Sequence, residues 1–193
     1  MTQPPTGRRE RKKARTRQAL ADAALRLFLE HGYDQVSVKD VAEAADVSVT
    51  TLFKHFSGKE ALVFDQDTER GEVLVAAVRD REPGRTVLEG LHAHLRDLVG
   101  TVHEEPEFHR FRELIDGTPV LSEYAHRMWM RHEAALAGAI AAETGADEGD
   151  VAVRALAHYA LAAPRLAGGS PDPVAAVDRI FALLRHGWGD LGA

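Results

Sequence analysis

At 193 residues, 45% of them apolar and 28% charged, the chain has the composition of a globular protein with a sizeable core and room for one to two domains. It holds no cysteine, which excludes a disulfide framework, thiol chemistry and any cysteine-ligated zinc or iron–sulfur site. The formal charge of −6 is unevenly spread: residues 1–60 carry 11 Lys or Arg against 8 Asp or Glu, residues 61–193 carry 13 against 22, and residues 1–20 hold seven cations against the lone Glu10.

That asymmetry points to an anionic partner met by one end of the chain. Residues 1–17 read as a flexible basic arm running into a first helix. Leu20, Ala24, Leu27 and Phe28 recur at i, i+4, i+7 and i+8, one helical face, and Gly32 supplies the stop. Asp22 and Arg26 break the run that would otherwise imitate a signal peptide. The best uncharged apolar runs, such as Ala134–Ala142, are far shorter than the ~20 residues a membrane span needs. No membrane contact and a cytoplasmic location are therefore expected.

Ser37 stands three residues before Asp40, an acidic form of the capping pattern, with Val41, Ala42 and Ala45 behind it. Ser48 opens another short helix, with Leu52 and Phe56 on one face. Ser57-Gly58-Lys59-Glu60 reads as a capping box with Ser57 as the cap, and the helix after it is expected to run to about Arg81, before Pro83-Gly84. Leu88, Leu91, Leu95, Leu98 and Val102 give the next apolar stripe. A short aromatic segment with Phe108 and Phe111 follows Pro106. A long helix is expected from about Pro119 to Thr144, then Val151–Leu166 and Pro173–Gly187, divided by Gly168-Gly169-Ser170-Pro171. No strict alternation survives, so the predicted fold is all-α with about nine helices.

The informative stretch is SVKDVAEAADVSVTTLFKHF, residues 37–56. Two short helices joined by a tight turn at Asp46-Val47 form a helix-turn-helix. Val41, Ala42, Ala45, Val47, Leu52 and Phe56 supply the inner packing, and the second helix turns Val49, Thr50, Thr51, Lys54 and His55 outward. Hydroxyls and methyls of that kind suit base edges in a major groove, while Lys54, His55 and Lys59 suit phosphates.

Residues 8–63 resemble the DNA-binding domain of TetR-type transcriptional regulators. The resemblance rests on Ser37, Val41-Ala42, Ala45-Asp46-Val47-Ser48, Phe53, His55-Phe56, Lys59 and Leu62, in order and in register. Asp46 stands where the family usually has Gly, and Phe53 where it usually has Tyr. The resemblance implies a DNA-binding domain over 18–63 and a helical ligand-binding and dimerisation domain over 64–193. It implies double-stranded palindromic operator DNA, a homodimer partner and a small apolar or amphipathic effector as partners, with no cofactor. It makes about Ser48–His55 the recognition helix, with Thr50 and Thr51 for base reading. Ser37, Lys39 and Lys59 would serve phosphates, and the run Arg8–Arg17, with Arg8, Arg9 and Arg11 foremost, the minor groove or the backbone.

For the remainder, Leu156, Tyr159, Ala163, Val177, Ile180, Phe181 and Leu184 are the expected dimer residues. Phe108, Phe111, Tyr124, Met128, Trp129, His132 and Tyr159 are the expected effector contacts, with His109 and Arg165 as further polar candidates. Ten histidines raise a metal reading, but His92 and His94 do not share a helix face, and Glu123 with His126 is only one of the pairs a di-metal bundle needs. The most consistent function is a ligand-released repressor. An activator of the same family is the alternative, and a helical-bundle enzyme is the remote one, since no phosphate loop, HExxH or GxSxG pattern is present.

Overall fold

Side-chain caps set where several helices begin. Ser37, Ser48, Asp150 and Asp172 each accept a hydrogen bond from a first-turn backbone N–H, taking up a donor that the helix itself leaves unpaired. Pro173 follows its cap at the start of the last helix, where a missing N–H costs little. The computed structural model describes residues 7–102 and 106–187, and among them the fold is all-α, with ten helices and no strand. In chain order these are α1 (Arg8–His31), α2 (Val38–Ala44), α3 (Val49–His55), α4 (Glu60–Val63), α5 (Asp67–Arg79), α6 (Val87–Val102), α7 (Pro106–Asp116), α8 (Pro119–Thr144), α9 (Val151–Ala167) and α10 (Pro173–His186).

Three local expectations are corrected. The expected arm is helical from Arg8 onward, so its cations lie on α1. The helix expected after Lys59 is divided: α4 ends at Val63, residues 64–66 form a turn, and α5 begins at Asp67. The cap of α4 is Lys59 with no side-chain bond, and Ser57 does not cap it. The reason lies in Glu60, whose carboxylate accepts the Tyr33 hydroxyl. Burial first, and Glu60 second, push that hydroxyl's pKa well above its ordinary value.

The chain forms two compact units, one of residues up to 66 with 110–124, the other of 67–109 with 125 onward. In the first, α1 packs against α2, α3 and α4. Its core is Leu20, Ala24 and Phe28 from α1, Val41 from α2, Leu52 from α3 and Leu62 from α4, all at most 1% exposed. Phe28 meets Tyr33 with ring centroids 5.1 Å apart.

In the second unit, α6 packs against α5, α9 and α10. Val87, Leu91, Leu95 and Val99 form its buried stripe; Leu88 is only partly buried and Leu98 is exposed, one position off the stripe expected from sequence. Ala157, Ala160, Ala163 and Ala167 of α9 are fully buried beside Val177 and Phe181 of α10. His92 stacks on Phe181 at 4.8 Å, and its Nε2 lies 2.7 Å from Asp178, which also accepts from Arg96 Nε at 3.1 Å. Burial raises the Asp178 pKa, but the hydrogen bonds from His92 and Arg96 outweigh it and hold the carboxyl below its ordinary value. No described helix is long and apolar enough to cross a membrane.

Candidate nucleic-acid interface

Short helices cannot hold themselves in water, so α2 and α3, seven residues each, depend on caps and packing. Ser37 and Asp40 form the reciprocal capping box expected from sequence: Asp40 N donates to Ser37 Oγ at 3.2 Å, and Ser37 N donates to Asp40 Oδ2 at 2.7 Å. The Ser37 hydroxyl, donating to the same carboxylate, and then the Ser37 N–H hold the Asp40 pKa low. The turn is made by Asp46 at φ 52°, the left-handed conformation that Asp tolerates better than most residues. Ser48 then caps α3, accepting from Thr51 N at 3.2 Å, with the two hydroxyls 2.9 Å apart.

Inward, Val41, Ala42, Leu52 and Phe56 are buried, while Ala45 and Val47 are half-buried. Outward, Ser48, Thr50, Phe53 and Lys54 are exposed, and Val49, Thr51 and His55 are half-buried. Phe53 is 52% exposed. His55 has a pKa lowered by burial, then by Lys13 and Arg17, so its ring favours the neutral form. Its Nδ1 is buried without a hydrogen-bond partner.

The remaining predicted DNA contacts divide by what already holds them. Arg8, Arg9 and Arg11 are exposed on the first turn of α1. Lys39 is exposed, 3.6 Å from Glu43. Ser37 spends its hydroxyl on Asp40, at 2.7 Å. Lys59 donates to the Tyr33 carbonyl and lies over the Tyr33 ring, 3.8 Å from its centroid. Burial lowers its pKa against the pull of Asp34, Glu60 and Asp40. Residues that sequence reasoning missed are Tyr33 and Glu60, which hold Lys59 and the start of α4. Their signal is a non-local hydrogen bond that no spacing rule contains.

The predicted effector contacts do not come together as one group. Phe111 and Tyr124 belong to the first unit, where both meet Phe64: Tyr124 stacks on it at 5.1 Å and Phe111 approaches edge-on at 6.5 Å. The side chain of Phe108 lies outside the described residues. Met128, Trp129 and His132 are half-buried on α8, and Tyr159 is 47% exposed on α9. Within the second unit, His132 lines a cavity of about 630 Å³ with Asp67, Gly71, Val75, Arg131 and Ala135. Arg131 holds Asp67 Oδ2 at 2.6 Å. His132 Nε2 is 3.2 Å from the Asp67 carbonyl and 2.8 Å from Oδ1. Directed at the carbonyl, it leaves the buried Oδ1 without a hydrogen bond of good geometry. A Cβ on Gly71 would meet the His132 ring at 3.0 Å, so glycine there lets the imidazole lie against α5. No group of three or more metal-ligating side chains occurs among the described residues.

The predicted dimer residues also divide. Ala163, Val177 and Phe181 are buried in the core of the unit, and Leu156, Ile180 and Leu184 pack against it. The large apolar side chains left outside on α9 are Val151 at 80%, Tyr159 at 47% and Leu166 at 63% exposure.

Residues 20–65 match the family model described as bacterial regulatory proteins, tetR family, and residues 85–188 match the one described as the MftR C-terminal domain. The transcriptional regulator TcmR of Streptomyces glaucescens is 34% identical over 152 residues, covering 75% of this chain and 67% of that protein. The transcriptional repressor Rv1474c of Mycobacterium tuberculosis is 40% identical over 89 residues, 45% of this chain and 41% of that protein. Among solved structures, NalD of Pseudomonas aeruginosa, a secondary repressor of a multidrug efflux pump, superposes with a TM-score of 0.63 at 21% identity, covering 91% of this chain and 97% of that one. At that identity the likeness is one of fold.

Proposed function

The chain belongs to the TetR family of bacterial regulatory proteins, a family of DNA-binding transcriptional regulators and not of enzymes, and on that premise we propose that α3 reads operator DNA through Ser48, Thr50, Thr51, Phe53 and Lys54. The observation that carries this is the exposure of Thr50, Phe53 and Lys54 at i, i+3 and i+4 on one face of α3. Folding makes no use of an exposed phenylalanine there, whereas a major groove offers it apolar contact with thymine methyls. Val49 flanks the same face. Lys39, His55 and the exposed cations of α1, from Arg8 to Arg15, reach phosphates. Six exposed cations between residues 8 and 15 repel one another, and Arg8, Arg9 and Arg11 in the first turn also oppose the positive end of the helix dipole, a cost that a polyanion removes.

Binding to selected DNA fragments across a range of salt tests the reading. Lys54→Ala should weaken all sequences alike and reduce the log–log salt slope by about 0.9. Thr50→Val should instead change preference at one base pair, by about 1–3 kcal/mol. Equal effects of both substitutions on every sequence would remove α3 as the reading element.

The chain acts as a repressor in this reading. Two copies pair through the outer face of α9, where Val151, Tyr159 and Leu166 are exposed, and present two recognition helices about 34–36 Å apart to a palindrome. A small amphipathic molecule occupies the cavity between α5 and α8, setting a donor on Asp67 Oδ1 and an apolar part on Val75 and Ala135. If that molecule binds the non-DNA conformation better, it shifts the population toward release. A screen of amphipathic amines and alcohols should find compounds that raise the unfolding midpoint and release DNA, with both effects lost in Gly71→Ala. Hits indifferent to that substitution would place the effector elsewhere.

A further inference from the structure

The sequence groups Arg17 with the cations of the arm, but the structure separates it from them. Residues 8–15 are exposed on α1, whereas Arg17 is half-buried. Its Nη1 donates to the His55 carbonyl at 2.6 Å and its Nη2 to the Asp65 carbonyl at 2.7 Å. The guanidinium lies over the Phe56 ring, 4.3 Å from the centroid, and Phe56 is itself only 2% exposed.

The His55 carbonyl is of the kind that a helix leaves without a donor of its own. His55 ends α3, and the last carbonyls of a helix have no intrahelical donor. Asp65 lies in the turn of residues 64–66, between α4 and α5. A single planar cation closes both, and its charge complements the negative end of the α3 dipole. Seven residues cannot fix the direction of α3 by themselves. We propose that Arg17 is a positioning residue, setting the reading helix by tying its last carbonyl to the turn after α4, and that it does not contact phosphate.

Arginine is required by this geometry because two donors must diverge from one plane while the same plane covers Phe56. A lysine ammonium keeps the charge and loses the fork. Charge-preserving substitution therefore separates positioning from phosphate contact. The proposal rests on α3 as the reading helix, so one measurement is made without DNA.

In the full-length chain, Arg17→Lys should lower affinity for a selected DNA fragment by about tenfold to a hundredfold. Its log–log salt plot should run parallel to that of the unsubstituted chain. Arg17→Gln should lose at least as much affinity. Hydrogen exchange on the free protein should show faster exchange of α3 amides in Arg17→Lys, with α1 amides near Leu20 unchanged. Two results overturn the proposal. In one, Arg17→Lys binds as tightly as the unsubstituted chain while Arg17→Gln lowers the slope by about 0.9, which makes Arg17 a phosphate contact. In the other, α3 amides exchange at the original rate in Arg17→Lys, whatever the DNA result. Should Arg17→Gln fail to fold, Arg17→Lys alone decides.

Discussion

Replacing Phe181 with alanine should lower the stability of the second unit by about 3–5 kcal/mol. The ring is 1% exposed and belongs to the core shared by α5, α6, α8, α9 and α10. Four of the five buried α9 residues in that core are alanines, which have no side-chain length with which to fill a space. Loss of the ring also removes the surface on which His92 stacks, and with it one support of the His92–Asp178 contact between α6 and α10. Trp129 stands on α8 in this unit, so its fluorescence during denaturation follows it. A loss below about 1 kcal/mol would mean that the helices close on the vacated volume.

Leu52→Ala should have its effect in the other unit. Leu52 is the one buried residue of α3 and is 0% exposed, in a core with Val41, Phe28 and Leu20. The cost should be about 2–5 kcal/mol. More than stability is lost, because the packing of Leu52 is also what orients the outward face of α3. Specific DNA binding should therefore disappear at protein concentrations that saturate DNA with the unsubstituted chain, while the tryptophan-monitored unfolding of the second unit keeps its midpoint. Retention of specific binding would show that the caps and Arg17 orient α3 without this anchor.

What could be read in advance follows from the range of each interaction. The helix-turn-helix was legible because its determinants are local: Ser37 caps with Asp40 three residues on, Ser48 with Thr51, and the turn needs one left-handed residue, which Asp46 supplies. The division after α4 was not legible. The Ser57–Glu60 box satisfies a spacing rule, but Tyr33 claims the Glu60 carboxylate from 27 residues away. Lys59 and Arg17 carry the same lesson. Their charge suggested phosphates, and both are engaged by backbone carbonyls remote in sequence.

Periodicity found every long helix but not always its inner face. On α6 the buried stripe falls on Val87, Leu91, Leu95 and Val99, and a leucine count alone favours Leu88 and Leu98. On α10 the large apolar residues Val177 and Phe181 looked suited to a partner and are consumed by the core. A sequence shows that a face is apolar; it does not show whether the neighbour is the same chain.

The four fully buried alanines of α9 have a consequence for how this chain can change over time. At Ala157, Ala160, Ala163 and Ala167, nearly every substitution adds atoms where packing leaves no room. Drift at these positions is confined to residues about as small as alanine. The cavity lining at Val75 and Ala135 is under no such limit. Substitutions can accumulate there while the inner side of α9 stays fixed, so one sequence holds a slow-changing frame beside a surface free to diversify.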